Sequence, residues 1–200
     1  MKPDSATVRK IPGAGRPRDP RIDASILRAA AQLLVETGYS NVTMTAVAER
    51  AGTTKTALYR RWSSKAELVH EAAFPATPTA LRAPSGSFAD DVRAMVNATR
   101  DVFTTPVVRA ALPGLVADMA ADPELNARVM QRFAGLFDAV RDRVRRAVDE
   151  GDARPTVDAD RFVEVIGGAT MLRLLLSPGE DLGDDWVGQT TAIVINGVLT

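Results

Sequence analysis

The chain has 200 residues, 46% of them apolar, no cysteine and a formal net charge of zero. That length supports one large or two small domains with a real core, and the absence of thiols excludes a disulfide frame and a thiolate metal site. No uncharged apolar run approaches the roughly 18 residues of a membrane span, and the basic Met1–Gly15 stretch has no apolar secretory core. A cytoplasmic chain with no membrane partner is expected.

The zero net charge hides an asymmetry. Residues 1–65 hold 12 Lys+Arg against 5 Asp+Glu, and residues 66–200 hold 13 against 20. A head of +7 beside a body of −7 is the electrostatic footprint of a module that meets phosphates.

Residues 1–18 are rich in Pro, Gly and basic side chains and show no period, so a flexible basic arm is expected. Arg16 and Arg18 flank Pro17 in an extended segment suited to a narrow minor groove. Asp19-Pro20 opens a first helix, with Asp as cap and Pro at the first helical position. Ile26, Ala30, Leu33 and Leu34 then repeat at helical spacing up to Gly38.

The next stretch, Thr43 to Lys65, holds two short helical patterns joined by a tight turn. Val47, Ala48 and Ala51 share one face of the first, and Gly52 follows where positive φ is needed. Thr54 offers an oxygen to cap the second helix, in which Leu58 and Trp62 point inward. Lys55, Thr56, Tyr59 and Arg60 are left on its outer face. This pattern predicts a helix-turn-helix whose second helix enters a major groove of double-stranded DNA. Thr54 is then expected on phosphate; Lys55, Thr56 and Ala57 on base edges; and Tyr59 and Arg60 on phosphates again. Ser64-Lys65-Ala66-Glu67 reads as a capping box opening a further helix to about Phe74.

The run from Gly38 to Leu68 resembles the DNA-binding domain of the tetracycline-repressor family of bacterial transcription regulators. The matching residues are Gly38-Tyr39, Thr43, Val47-Ala48, Ala51-Gly52, Leu58-Tyr59, Trp62, Ser64-Lys65 and Leu68. Family members often carry Phe where this chain has Trp62 and Val-Ser where it has Thr53-Thr54. The resemblance implies that Thr43 and Lys65 clamp the DNA backbone and that the helix from Ser64 links the DNA-binding unit to a ligand-binding body.

Pro75 to Gly86 carries three prolines and a glycine and reads as a linker or long loop. Ser87 opens a helix with the stripe Phe88, Val92, Met95, Val96, Val102 and Phe103. Thr105-Pro106 opens the next, with a kink or break expected at Pro113. Asp122-Pro123 starts a long amphipathic helix ending near Gly151, whose charged residues, Arg143 among them, read as a solvated face. Two final helices follow, Asp158 to Ser177 and Asp184 to Thr200, apolar on more than one side.

The expected fold is therefore all-α, about nine helices. It comprises an arm at 1–18, a three-helix helix-turn-helix domain at 19–63 and a helical ligand-binding and dimerisation domain at 64–200. By resemblance, the last two helices pair with a second copy of the chain, making Phe162, Ile166, Ala169, Trp186, Ile193 and Val194 interface residues. By resemblance again, the body holds a pocket, with Met95, Phe103, Met119, Phe133, Phe137 and Met171 as lining for an apolar or amphipathic effector. The implied function is a ligand-responsive repressor that binds a palindromic operator as a homodimer. The alternatives are an architectural, ligand-independent DNA binder and a helical dimerisation module whose basic head meets an acidic protein. No phosphate loop, HExxH or GxSxG is present, so no enzyme, cofactor or metal is expected. His70, the single histidine, reads as a surface or hinge residue.

Overall fold

Short polar residues placed just before apolar periods start most of the helices. The computed structural model describes residues 20–75, 86–177 and 179–198. Among them are nine α-helices and one 3-10 turn. The head comprises α1 (Pro20–Thr37), the turn Tyr39–Asn41, α2 (Met44–Arg50), α3 (Lys55–Tyr59) and α4 (Lys65–Ala73). The body comprises α5 (Phe88–Phe103), α6 (Pro106–Ala121), α7 (Pro123–Asp149), α8 (Ala159–Leu176) and α9 (Asp184–Val198). Thr43, Thr54, Ser64, Ser87, Thr105, Asp122 and Asp158 each accept a hydrogen bond from a backbone N–H of the helix they precede. Each such cap contributes about 1 kcal/mol. No helix among the described residues is long and apolar enough to cross a membrane. The arm at 1–18, with Arg16 and Arg18, and most of the expected linker lie outside the described residues.

Two apolar clusters organise the packing. One joins Ile26, Leu34, Val47, Leu58, Trp62 and Leu68 of the head to Val108 and Leu115 of α6 and Leu125 and Val129 of α7. The other joins Phe88, Val92 and Val96 of α5 to Val140 and Val144 of α7, Phe162 and Ile166 of α8, and Val187 and Val194 of α9. The core beneath the head thus continues into the body without a gap at 63–64, and α7 spans both clusters. α4 lies against α1, α6 and α7.

Three expectations are corrected by this packing. Helix α6 runs through Pro113 without a break. The proline removes one intrahelical bond, but buried Ala111, Leu112 and Leu115 hold the helix on both sides of it. Arg143 is not on a solvated face. Its Nε donates to Asp91 Oδ2 at 2.5 Å across α5 and α7, both side chains are 7% exposed, and the guanidinium lies 5.0 Å from the Phe88 ring centroid. His70 is buried at 3% exposure rather than at the surface.

Candidate nucleic-acid interface and effector cavity

The turn between α2 and α3 is fixed by its backbone. Gly52 has φ 64°, its N–H donates to Glu49 O at 3.2 Å, and Thr53 N–H donates to Ala48 O at 2.9 Å. This is a Schellman motif, and it requires the left-handed conformation that glycine adopts without a Cβ clash. It aims α3 so that Leu58 and Trp62 are buried while Lys55, Thr56, Tyr59 and Arg60 are exposed and Ala57 is half-buried. Lys55 Nζ sits 5.8 Å from the Tyr59 ring centroid, so the two side chains share one surface patch. Thr43 Oγ1 accepts from Ala46 N–H at 3.1 Å and Thr54 Oγ1 from Ala57 N–H at 3.2 Å. Their hydroxyl protons stay available to a phosphate oxygen.

Arg61, next to the exposed Arg60, is turned inward. It pairs with Asp23 of α1 and donates to Ala57 O at 2.9 Å. It anchors α3 to α1, which explains why two adjacent arginines face different environments. Lys65 is half-buried, with Nζ 3.2 Å from Tyr39 O and 4.1 Å from the Tyr39 ring centroid. One of its three N–H donors is used there.

Sequence reasoning did not find the joint below the interface. The Tyr39 hydroxyl donates to Asp118 of α6, and the ring lies against Gly114 so closely that no side chain fits there. Burial and the Asp118 carboxylate push the Tyr39 phenol well above its ordinary value, so it keeps its proton as donor. A second link runs from Trp62 Nε1 to Glu71 Oε2 at 2.8 Å and from Glu71 to Arg132 of α7 at 2.7 Å. The expected capping box is present in modified form. Ser64 Oγ accepts from Glu67 N–H at 3.1 Å, but the Glu67 carboxylate reaches back to Ser63, accepting from its N–H at 2.8 Å and its hydroxyl at 2.7 Å.

The body holds a cavity of about 360 Å³ between α5, α7 and α8. Met95, Phe103, Phe133, Phe137 and Met171 stand on its wall. Met119 does not; it packs on the cluster beneath the head. Thr99 and Glu164 are the polar side chains of the lining, and no basic side chain is part of it. Such a wall suits a largely apolar ligand with few polar groups.

His70 lies next to this wall. Its ring is 5.1 Å from Phe74 and meets Phe133 edge-on at 5.3 Å, and neither ring nitrogen has a hydrogen-bond partner. Burial pushes the imidazole down to about 4; the Arg132 charge adds to this and Glu71 opposes it. The unfolded chain therefore takes up a proton near pH 6.5 that the folded chain refuses until about pH 4. Stability is fully present above pH 6.5 and falls by up to about 1.4 kcal/mol per pH unit below it. His70→Phe is expected to remove that slope between pH 6.5 and 5, where few carboxylates titrate. Urea unfolding at several pH values checks this. Unsatisfied buried nitrogens also cost about 1–3 kcal/mol in themselves, so the phenylalanine variant should be at least as stable as the native chain at pH 7.

The expected interface residues of α8 and α9 divide by burial. Phe162, Ile166 and Val194 belong to the protomer's own core and are only 4–5% exposed. Trp186 is half-buried against the same cluster, whereas Ala169 and Ile193 are exposed. Val165, Leu172 and Leu176, apolar in the sequence but outside the expected interface set, are exposed and recur with Ala169 at helical spacing along α8. Leu176 is 74% exposed and Ile193 of α9 72%. Hydropathy alone could not separate the two faces, because both are apolar.

Comparison with known proteins agrees with this geometry. Residues 26–72 match the family model described as bacterial regulatory proteins, tetR family. Residues 82–194 match the tetracyclin repressor-like C-terminal domain. The DNA-binding transcriptional repressor TetR of Mycobacteroides abscessus is 32% identical over 179 residues, covering 83% of this chain and 87% of its own length. The crystal structure of the TetR family transcription regulator SCO0332 aligns with TM-score 0.68 at 31% identity, over 90% of this chain and 100% of that one. FadR from Bacillus subtilis, solved in complex with stearoyl-CoA, aligns with TM-score 0.64 over 87% of this chain and 98% of that one; at 12% identity the likeness is one of fold. With a helix-turn-helix in its head and family models matching both halves, this chain belongs to the tetracycline-repressor family and is a DNA-binding transcriptional regulator.

Proposed function

We propose that the protein is a homodimeric repressor that binds a two-fold symmetric operator and is released when an apolar or amphipathic small molecule fills the cavity between α5, α7 and α8. The observation that carries the DNA-reading part is the outer face of α3, where Lys55, Thr56 and Tyr59 stand exposed over a buried Leu58. Lys55 is assigned to guanine O6 and N7, and Thr56 and Ala57 to thymine methyls. Thr43, Thr54, Tyr59, Arg60 and Lys65 are assigned to phosphates, and Arg16 and Arg18 to the adjacent minor groove.

The exposed apolar stripe of α8 and α9 supports dimerisation. Val165, Leu172, Leu176 and Ile193 are large apolar side chains left exposed on these two helices. Two copies joined there carry two recognition helices, and release follows if the ligand favours a dimer in which those helices no longer match successive major grooves. A ligand with equal affinity for both forms would shift nothing.

Lys55→Ala tests the assignment. It is expected to lose about 1–3 kcal/mol on the operator, to relax preference at one base position, and to bind random duplex nearly as before. Equal losses on operator and random DNA would make Lys55 a phosphate contact and remove it from base reading.

A further inference from the structure

The cavity wall and the histidine beneath it meet at one residue. Phe133 lines the cavity, and its ring also packs edge-on against His70. His70 sits on α4, the helix that follows the helix-turn-helix directly, and is 3% exposed with both ring nitrogens unpartnered. A neutral imidazole carries one donor and one acceptor, and groups buried in this way are almost always satisfied. The groups known beside it do not bond it. Glu71 accepts from Trp62 and pairs with Arg132, and Phe74 and Phe133 are hydrocarbon rings.

We infer that His70 is the polar anchor of the effector site. The effector is an apolar, ring-sized molecule carrying a hydroxyl or carbonyl group, which bonds an imidazole nitrogen once Phe133 swings aside. This rests on the proposed role of the cavity and extends it, because it gives the effector a defined chemistry and a direct bond to α4. The absence of basic side chains from the lining fits an uncharged polar group rather than a carboxylate or phosphate. Bonding to His70 would reward only the Phe133-displaced arrangement, and so supplies the differential affinity between two states that a switch requires.

A matched pair of probes tests it: 1-naphthol and naphthalene, which differ by one hydroxyl. The full chain is used, with labelled histidine and labelled methionine methyls. His70 is the only histidine, so its ring resonances need no assignment. The cavity-lining Met95, Met130 and Met171 report filling of the cavity independently. The expected result is that both probes shift those methyls, only 1-naphthol shifts a His70 ring nitrogen, and 1-naphthol binds about 3- to 10-fold tighter than naphthalene. In His70→Phe, checked for folding by its melting temperature, that ratio should fall to about one. If both probes shift the methyls while His70 stays silent and the ratio is already one, the anchor is overturned and the cavity stands. If neither probe shifts the methyls, the cavity reading fails and the anchor with it.

Discussion

Asp91→Ala is expected to destabilise the protein by about 3–5 kcal/mol, the largest effect of any single side-chain truncation predicted for this chain. The carboxylate is the 2.5 Å partner of Arg143, and both groups are almost fully removed from water between α5 and α7. Truncation leaves a guanidinium buried beside the Phe88 ring, with the Glu150 carboxylate 3.9 Å from Nη1 and most of its hydration gone. The cost comes from that uncompensated charge rather than from the attraction itself. The double variant Asp91→Leu with Arg143→Met is accordingly expected to recover most of the loss, since well-packed apolar pairs often replace buried ion pairs without penalty. Urea midpoints at one fixed protein concentration check both, because association would otherwise move them. A double variant no more stable than Asp91→Ala would show that the pair itself, not the orphaned charge, carries the stability.

Gly114→Ala is the second. An added Cβ would stand 2.0 Å from Tyr39 Cδ1, 2.4 Å from Cγ and 2.6 Å from Cε1. Cγ is the root of the ring, so no rotation about the ring axis relieves the overlap. The whole ring must move, taking with it the bond to Asp118 and the surface that Lys65 covers. Overpacking costs about 1–3 kcal/mol and a hydrogen bond to a charged group about 1.5–3, against about 1 gained from replacing glycine in a helix. The net expectation is a loss of roughly 2–4 kcal/mol by the same arithmetic. DNA affinity should fall too, because Tyr39 ties the head to α6. Tyr39→Ala in the Gly114→Ala background should restore part of the stability by removing the clash, and a double-mutant cycle measures that coupling. Simple additivity of the two losses would mean that the ring and the glycine do not constrain each other.

These two sites mark where sequence reasoning stopped. Helix starts were legible because a cap is a local event: Ser64, Thr105, Asp122 and Asp158 each bond a backbone N–H two or three residues on. The helix-turn-helix was legible for the same reason, since Gly52 and the Leu58/Trp62 spacing act within one short segment. The pairing of Asp91 with Arg143 joins residues 52 positions apart, and no local pattern distinguishes that arginine from its solvated neighbours Arg145 and Arg146. Tyr39 and Asp118 lie 79 positions apart, and nothing local marks Gly114, beside Pro113, as the place where the Tyr39 ring would pack. His70 looked free because a lone histidine has no sequence partner; its burial comes from α7 packing over α4. On α8 and α9 the elements were legible, but which apolar residues turn inward was not. Phe162, Ile166 and Val194 fill the protomer core, and Val165, Leu172, Leu176 and Ile193 are the residues left outside.

The central claim is that α3 reads DNA sequence as part of a two-fold assembly. The most direct measurement is binding of the full-length protein to the DNA flanking its own gene, with random duplex as competitor and salt varied. The account predicts competitor-resistant binding with two protomers per site, and an affinity that falls linearly with salt on a logarithmic plot. Binding that random duplex competes away fully would contradict sequence reading by α3 at that DNA. No binding at low salt, from a folded dimer, would contradict the account at its root.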